Sequence, residues 1–431
     1  MTTYGTLNDN AWEKLFEKYN ILENINLNGF YKIESRMINE FRESRLMAKF
    51  DHYVNLPRIF KNHKLSILPI SRSEYLIGTF SSYYKVEYDE TIENVPVSLP
   101  HHIESIDCNN LYSENAALHC ANITGIISDL MNEEAMLTIS GRMSSNSFNY
   151  SIRSSTNDSM FPINVRNSQI EIDAGFEGEG SLYLIEAKNI TVDDFLIRQL
   201  YYPYRLWREK ITKSIIPVFM TYSNDIFSFF IFEFKNPLEY NSLHLLKQKN
   251  YVIAPESISL DDIWRIFNSV ILADEPNVPF PQADKFERIV DLLGLLVNTT
   301  LTKEEITQNY QFDSRQTDYY TNAIIYLDLA KKYTDFTTGE ITYTLTDRGK
   351  GIMNKRYKNK YLSLVKCILE HKVFHEVLDN YFKLGYPPSR DLVCNIMRDC
   401  KLYNVGSEST INRRSQTILS WIEWLLNLVD E

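Results

Sequence analysis

Two apolar runs joined by a glycine-rich turn carry charged residues at positions that would lie inside a sheet. The stretch IEIDAGFEGEGSLYLIEAKN, residues 170–189, has Asp173 in its first run and Glu186 and Lys188 in its second. Because side chains alternate between the two faces of a strand, Glu186 and Lys188 share one face. Pairing of the runs through the turn at residues 175–180 places Asp173 close to Glu186. The sequence therefore predicts a hairpin that brings two carboxylates and one amine together.

That group of charges indicates a site for a divalent cation. Two neighbouring carboxylates suit Mg²⁺, a hard ion that takes oxygen ligands and keeps several waters, with Mn²⁺ as a substitute. An amine beside them can hold and polarise a water that attacks a phosphorus atom. The alternative is an amphipathic hairpin whose polar face is simply wet, because the bare spacing arises often by chance. The apolar flanks Ile170, Leu182 and Leu184 favour the cation site, since burying charges in a central strand is costly unless they are paired or coordinate a metal.

Length and composition indicate a folded, cytoplasmic protein of two or three domains. Of 431 residues, 44% are hydrophobic and 23% are charged, which is ordinary for a soluble chain. The polar start MTTYGTLNDN is unlike a signal peptide, and the most apolar region, residues 215–234, contains Asn224, Asp225 and Glu233, so no membrane span is expected. Five cysteines without a CxxC pair are expected to be reduced thiols. No Walker motif occurs, so no nucleotide cofactor is expected.

Net charge bears on nucleic-acid binding. A formal charge of −11 opposes contact with phosphates, which Lys and Arg must meet. Residues 347–361 nevertheless carry six Lys or Arg against one Asp. A local basic face and a merely solvated helix face are both consistent with that run.

Helix and strand patterns divide the chain into five parts and predict an α/β core flanked by smaller regions. Apolar spacing predicts helices over residues 8–25, 113–134 and 192–210 and a hairpin over residues 134–153. The parts are an α+β N-terminal accessory or DNA-recognition region (1–98), a mixed-sheet core (99–272), a proline-rich linker (273–283), a winged helix-turn-helix (284–358), and a C-terminal helical region with a second helix-turn-helix-like element (359–431).

The charged hairpin and its surroundings resemble the core of the PD-(D/E)xK phosphodiesterase superfamily, and the layout of the whole chain resembles bacterial type II restriction endonucleases. By this resemblance Asp173 is the acid of the first strand, while Glu186 and Lys188 form the E-x-K. All three would be catalytic. Ile172 departs from the pattern, because many members have Pro there.

The resemblance implies further roles around the hairpin. Glu114 would join the two acids as a metal ligand. Gln199 would support the core from the following helix, and Glu171 is a second supporting residue and an alternative claimant for the metal. Residues 41–80 and 409–425 resemble blocks of uncharacterised restriction-enzyme-like proteins.

The implied activity is Mg²⁺-dependent hydrolysis of double-stranded DNA at a specific short sequence, as in a type II restriction enzyme. A homodimer is expected, because one site cuts one strand and palindromic targets match two-fold symmetry. A cognate DNA methyltransferase is the expected functional partner. Two other functions remain open: a catalytically inactive DNA-binding regulator built on a nuclease-like core, and a repair or modification-dependent DNA nuclease.

Candidate DNA contacts lie in the C-terminal half. In a winged helix-turn-helix the third helix enters the major groove and the hairpin touches the backbone. Here that helix would turn Tyr320, Ala323, Ile324 and Leu327 inward. Arg suits guanine edges, Gln suits adenine edges, and Lys or Arg beyond the hairpin suit phosphates. The candidates are Arg315, Gln316 and Tyr319 on the third helix, Arg348, Lys350, Lys355 and Arg356 after the hairpin, and Arg413 and Arg414 on the last helix.

Overall fold

The structure is a computed structural model that describes residues 6–89, 91–100, 102–108, 111–253, 258–309, 314–334, 339–355 and 357–429. Short helices and a small antiparallel sheet, in the order β1-β3-β2, build the N-terminal part. The helix predicted over residues 8–25 is broken in two, because Asn20 adopts a left-handed conformation with φ of 49°. The elements are α1 (Leu7–Lys18), α2 (Ile21–Asn28), β1 (Phe30–Glu34), α3 (Ser35–Ile38), α4 (Ser44–Met47), α5 (Arg58–Asn62), β2 (Ser66–Pro69) and β3 (Glu74–Gly78).

A seven-stranded mixed sheet forms the centre of the molecule and confirms the α/β class predicted for the core. The elements of this central part of the chain are β4 (Tyr83–Lys85), β5 (Asn94–Val97), α6 (Glu114–Ile123), α7 (Ile126–Met131), β6 (Met136–Ser144), β7 (Ser147–Arg153), β8 (Met160–Arg166), β9 (Gln169–Glu177), β10 (Ser181–Lys188), β11 (Asp194–Leu196), α8 (Arg198–Arg208), β12 (Ser214–Ser223), β13 (Ile226–Phe234), β14 (Leu243–Ile253) and α9 (Leu260–Ser269). The sheet runs β5-β14-β13-β12-β10-β9-β6. Only the pairs β10–β12 and β14–β5 are parallel.

Helix α8 positions the residues that follow the charged strand. Parallel neighbours need a crossover connection, and α8 provides it between β10 and β12. Leu200, Tyr201 and Leu206 are buried in the hydrophobic core on one side of the sheet. The first turn of α8 is therefore fixed near the end of β10.

Two predictions within the core are wrong. The hairpin predicted over residues 134–153 does not form, because β6 pairs with β9 in the large sheet while β7 pairs with β8 in a separate ribbon. Aromatic packing explains the split, since Phe148 of β7 lies edge-on to Tyr202 of α8 at 5.2 Å. The helix predicted over residues 192–210 begins only at Arg198.

Residues 194–196 form a strand instead of the predicted first helical turn. This strand, β11, pairs antiparallel with β4. Phe195 stacks on Phe219 of the central sheet at a centroid distance of 4.3 Å. The helix predicted over residues 113–134 is also interrupted, because Gly125 has φ of 81°, although it begins where predicted, with Ser113 as its N-cap.

The C-terminal part has the predicted order of three helices followed by a hairpin. A short strand before the second helix joins that hairpin in a sheet of order β15-β17-β16. The inward stripe is confirmed, since Tyr320, Ala323, Ile324 and Leu327 are all buried. The elements are α10 (Phe286–Leu295), β15 (Leu301–Thr302), α11 (Lys303–Asn309), α12 (Ser314–Tyr326), β16 (Ala330–Thr334), β17 (Ile341–Leu345), α13 (Asp347–Met353), α14 (Tyr357–Leu369), α15 (Lys372–Leu384), α16 (Arg390–Asp399) and α17 (Glu408–Leu426).

The proline-rich stretch 273–283 has no helix or strand of its own, and only its second half is packed. Phe280, Pro281 and Ala283 are buried, whereas Ala273, Asp274, Asn277 and Pro279 are exposed. Phe280 lies edge-on to Tyr326 at 5.4 Å. The indole Nε1 of Trp421 donates a hydrogen bond to the backbone oxygen of Ala283 at 2.7 Å. One hydrophobic cluster continues from the central sheet through this stretch into the C-terminal helices. Across the described ranges, no helix is long and apolar enough to cross a membrane.

Truncation of Trp421 tests how much this packing stabilises the fold. Trp421→Ala should lower the free energy of unfolding by about 3–5 kcal/mol, the usual cost of removing a buried aromatic side chain. Chemical denaturation measures the change. Trp264→Ala is the matched control and should cost clearly less, because Trp264 is 46% exposed. Equal losses would contradict the packed arrangement.

Candidate active site

Asp173 and Glu186 meet across the antiparallel pair β9–β10. Asp173 Oδ2 accepts a hydrogen bond from the backbone N of Ala187 at 2.8 Å, which ties it to the strand that carries Glu186. The turn comprises only residues 178–180, because both strands extend further than the sequence predicted. The hairpin therefore brings the two carboxylates together.

Apolar side chains fix the hairpin from its other face. Ile185 and Ala187 are buried with Ala174 and Phe176 in a cluster that α6 and α7 complete. A slip of one residue would turn the charged side chains into this cluster. Burial of the apolar face thus sets the register on which the charged face depends.

Lys188 lies at the centre of the charged group. Its Nζ is 2.6 Å from Glu186 Oε1 and 3.9 Å from Glu114 Oε1. Gln199 Nε2 donates a short hydrogen bond to the same Glu186 oxygen. The hairpin, the start of α6 and the start of α8 thus converge on the pair formed by Lys188 and Glu186.

Burial and crowding of negative charge control the ionisation of this group. Burial raises the pKa of Glu186 to about 7; Lys188 opposes this shift and Asp173 adds to it. Burial likewise raises the pKa values of Asp173 and Glu114. Burial alone would lower the pKa of Lys188, but the surrounding carboxylates, Glu186 foremost, hold it above its ordinary value. The site carries more negative than positive charge, which favours uptake of a cation or a proton.

The donor set fits Mg²⁺ better than a metal held by protein alone. Among the described residues, no group of three or more His, Cys, Asp or Glu side chains is arranged to hold a metal ion. Mg²⁺ typically binds through one or two carboxylates and completes its shell with waters and substrate phosphates. Asp173 and Glu186 would supply those carboxylates. Glu171 is less suited, because it is half exposed and pairs with Arg142 at 3.2 Å.

A cavity of about 1090 Å³ opens over these residues. Three parts of the chain line it: the N-terminal part, the central sheet and the helices α11 and α12. From the proposed DNA-reading helix, Arg315 and Asp318 reach its wall. Arg42 Nη2, from the N-terminal part, lies 2.8 Å from Glu304 Oε1 of α11. The residues lining the cavity that matter here are Lys49, Asp51, Glu114, Glu171, Asp173, Glu186, Lys188, Arg198, Gln199 and Arg315.

Asp51, Lys49 and Arg198 are site residues that the sequence reasoning did not single out. Asp51 is fixed beside the site because its backbone oxygen accepts a hydrogen bond from Leu196 N of β11 at 2.9 Å. The neighbouring His52 Nδ1 lies 2.7 Å from the backbone oxygen of Asp194. In the sequence, only their position pointed to a role in the site. Lys49 and Asp51 fall within the block 41–80, and Arg198 precedes Gln199.

The other candidate DNA contacts differ in their exposure and in their hydrogen bonds. Lys350 and Arg413 are exposed, and Lys355 Nζ donates to Ser363 Oγ at 2.8 Å. Arg315 donates a short hydrogen bond from Nε to Tyr319, and Gln316 is half-buried. Arg356 lies outside the described residues.

Two candidates are less open to solvent or already paired within the protein. The guanidinium of Arg348 pairs with Glu370 and contacts Cys367 Sγ at 3.0 Å. Arg414 does not face away from the core: it is half-buried, and burial lowers its pKa to about 10. The local pattern showed neither the pairing of Arg348 nor the partial burial of Arg414.

Comparison with known families matches three models, each described as a domain of unknown function. DUF6996 matches residues 9–77, DUF6997 matches residues 78–252, and DUF7226 matches residues 288–430. The three ranges follow the N-terminal part, the central sheet and the C-terminal part. No curated protein and no solved structure matches the chain.

The raised pKa of Glu186 makes stability depend on pH. An unfolded Glu loses its proton near pH 4.3, whereas Glu186 in the folded chain holds its proton to about pH 7. The folded state therefore binds more protons in this window, and the free energy of unfolding should fall as pH rises from about 4.5 to 7. In chelator, Glu186→Gln should flatten this fall, as measured by chemical denaturation at several pH values.

Asp291→Asn is the companion variant for that experiment, because it removes a second buried carboxyl group. Burial also raises the pKa of Asp291 to about 7, but its carboxylate bonds to Ser223 Oγ, at 2.9 Å, instead of Lys188. Each substitution should flatten the pH dependence separately, and the double variant should flatten it further. An unchanged slope in Glu186→Gln would contradict the raised pKa.

Proposed function

We propose that this protein is a Mg²⁺-dependent endonuclease that hydrolyses phosphodiester bonds of double-stranded DNA, as a type II restriction enzyme with a PD-(D/E)xK core. One observation carries the proposal. Asp173, Glu186 and Lys188 lie together on the charged face of β9 and β10 and line one cavity. Glu114 and Gln199, which the resemblance also implies, reach the same ammonium or its carboxylate partner.

The side chains divide the chemistry of hydrolysis among them. Asp173 and Glu186 would hold Mg²⁺, with Glu114 assisting. A bound Mg²⁺ neutralises charge that develops on the phosphate and lowers the pKa of water. The water oxygen would attack phosphorus and release a proton to solvent, the P–O ester bond would break, and the leaving oxygen would take a proton from solvent. Lys188 is held charged by its carboxylate neighbours, so it acts as a hydrogen-bond donor to the attacking water or to a phosphoryl oxygen.

The C-terminal part supports DNA as the substrate. We interpret α10 to β17 as a winged helix-turn-helix whose third helix, α12, presents Arg315 to the cavity that holds the acids. Lys49 and Arg198 line the same cavity and add positive charge beside the carboxylates. A duplex lying against this wall would have its phosphates met by cations from the N-terminal, central and C-terminal parts. A cytoplasmic homodimer that acts beside a cognate DNA methyltransferase remains part of the proposal.

Substitution of the catalytic group gives the direct test. Asp173→Asn and Lys188→Ala should each lower the cleavage rate of a mixed-sequence plasmid in Mg²⁺ by about 10²-fold or more, because each removes a group that acts on the reacting phosphate. Gel analysis of discrete fragments measures the rate, with chelator as the zero point. Lys14→Ala, on the exposed face of α1, is the matched control and should cleave normally.

The pattern of outcomes separates the alternative functions. Tight DNA binding without cleavage in Mg²⁺ and Mn²⁺ would favour the inactive regulator. Cleavage only of methylated DNA would favour a modification-dependent nuclease. Equal cutting by wild type and Lys188→Ala would remove Lys188 from the mechanism.

Arg315 and Arg348 make a paired test of the DNA-binding surface. Arg315→Ala should weaken DNA binding. It should also reduce the slope of log K against log salt concentration by about one, as expected for loss of one phosphate contact. Fluorescence anisotropy in chelator at several salt concentrations measures both quantities. Arg348→Ala should leave the salt dependence unchanged, because its charge is paired with Glu370. If Arg348→Ala reduced the salt dependence and Arg315→Ala did not, the DNA would lie at the hairpin side of the C-terminal part.

A further inference from the structure

The bond between Lys188 and Glu186 conflicts with cation binding at Glu186. Glu186 Oε1 receives both the Lys188 ammonium, at 2.6 Å, and the Gln199 amide. A divalent cation bound by the same carboxylate would repel an ammonium held that close. Lys188 therefore needs another carboxylate when a cation binds.

Glu114 is one candidate, but it is poorly suited as the sole new partner. Its Oε1 already lies 3.9 Å from Lys188 Nζ, and its side chain is 42% exposed. In the proposed function Glu114 also assists the cation, so its charge is shared. A carboxylate that is not needed by the cation would serve Lys188 better.

Asp51 has the properties of that second partner. It lines the same cavity as Lys188, and its charge acts on the Lys188 ammonium. Its Oδ2 lies 3.6 Å from Lys49 Nζ. Its Oδ1 is buried and has no hydrogen-bond partner within the described ranges. An unmade hydrogen bond at a buried charged oxygen is costly, so the oxygen is expected to have a partner in another state of the site.

The backbone around Asp51 is held against the catalytic core. Besides the bond from Leu196 N, the backbone N of Tyr53 donates to Asp194 Oδ1 at 3.1 Å. Tyr83 donates from its hydroxyl to the backbone oxygen of Phe50 at 2.8 Å. The backbone that carries Asp51 is therefore fixed against the core, while the Lys188 ammonium lies at the end of a longer and more flexible side chain.

We propose that Asp51 is a positioning residue: it receives the Lys188 ammonium when a divalent cation takes up Glu186. The inference rests on the proposed function, because it assumes that Glu186 binds a cation. The N-terminal part then belongs to the reaction centre itself. Asp51 acts through Lys188 and does not ligate the cation.

Cation binding without DNA gives the first test. Mn²⁺ affinity of the full chain is measured by electron paramagnetic resonance, with thermal unfolding as a check that each variant folds. Asp51→Asn keeps the shape of the side chain and should weaken Mn²⁺ binding about 10- to 100-fold, as for loss of an outer-shell partner. Asp51→Glu should restore part of the affinity. Glu43→Gln, an exposed carboxylate of the same segment, should bind Mn²⁺ normally.

A double-mutant cycle distinguishes positioning from direct ligation. In Lys188→Met no ammonium has to be moved, so adding Asp51→Asn should change Mn²⁺ affinity by less than about threefold. A metal ligand at Asp51 would cause the full loss in both backgrounds, and that result would overturn the proposal. The cleavage defect of Asp51→Asn should also be relieved by excess Mn²⁺, whereas that of Lys188→Ala should not.

The remaining outcomes separate this inference from the proposed function. Wild-type Mn²⁺ binding with an unaffected Asp51→Asn would overturn the role of Asp51 and leave the nuclease proposal standing. No Mn²⁺ binding and no cleavage by the wild type would overturn both. Loss of cleavage in Asp51→Asn with normal Mn²⁺ affinity would exclude the transfer of Lys188 as the cause.

Discussion

The candidate active site is organised around one buried ion pair, Lys188 with Glu186, and around the surplus of carboxylates beside it. Asp51, Glu114 and Asp173 also act on the ammonium, so four acids surround one base. Charges out of water are costly unless they are paired and hydrogen-bonded. A fold that keeps such a group must hold its members in place by packing elsewhere. The apolar reverse face of β9 and β10, covered by α6 and α7, does this, and it explains why burial and charge alternate along the hairpin.

The site is assembled from parts that correspond to three separate family models. The central sheet supplies the acids and the amine, the N-terminal part supplies Asp51 and Lys49, and the C-terminal part supplies Arg315. Bonds between the parts, such as Asn55 Nδ2 to the backbone oxygen of Thr307 at 3.1 Å, close the wall around the cavity. The second half of the proline-rich stretch between the central and C-terminal parts packs into the shared core through Phe280 and Ala283. We infer that the three parts work as a unit rather than as independent modules.

Short-range patterns predicted the elements whose partners are near in sequence. The antiparallel pair of β9 and β10 and the buried stripe of α12 are both present. The failures have distant partners. Residues 136–144 alternate as a strand should, but β9 is a better partner than β7, because Phe148 of β7 belongs to the aromatic cluster of α8. Residues 194–196 were absorbed into a predicted helix, although β4, more than a hundred residues earlier, recruits them into a ribbon.

The sequence by itself determined the opposition of Asp173 and Glu186, the shared face of Lys188 and the helical order of the C-terminal part, because periods of two and 3.6 residues are local properties. Only the tertiary structure decided which further charges reach the cavity. Asp51 and Arg315 reach it from the N-terminal and C-terminal parts, while Arg348 is paired with Glu370 and Arg414 is half-buried. The physical reason is that a charged side chain takes its role from the groups that it meets after folding, and local spacing does not encode contacts between separate elements.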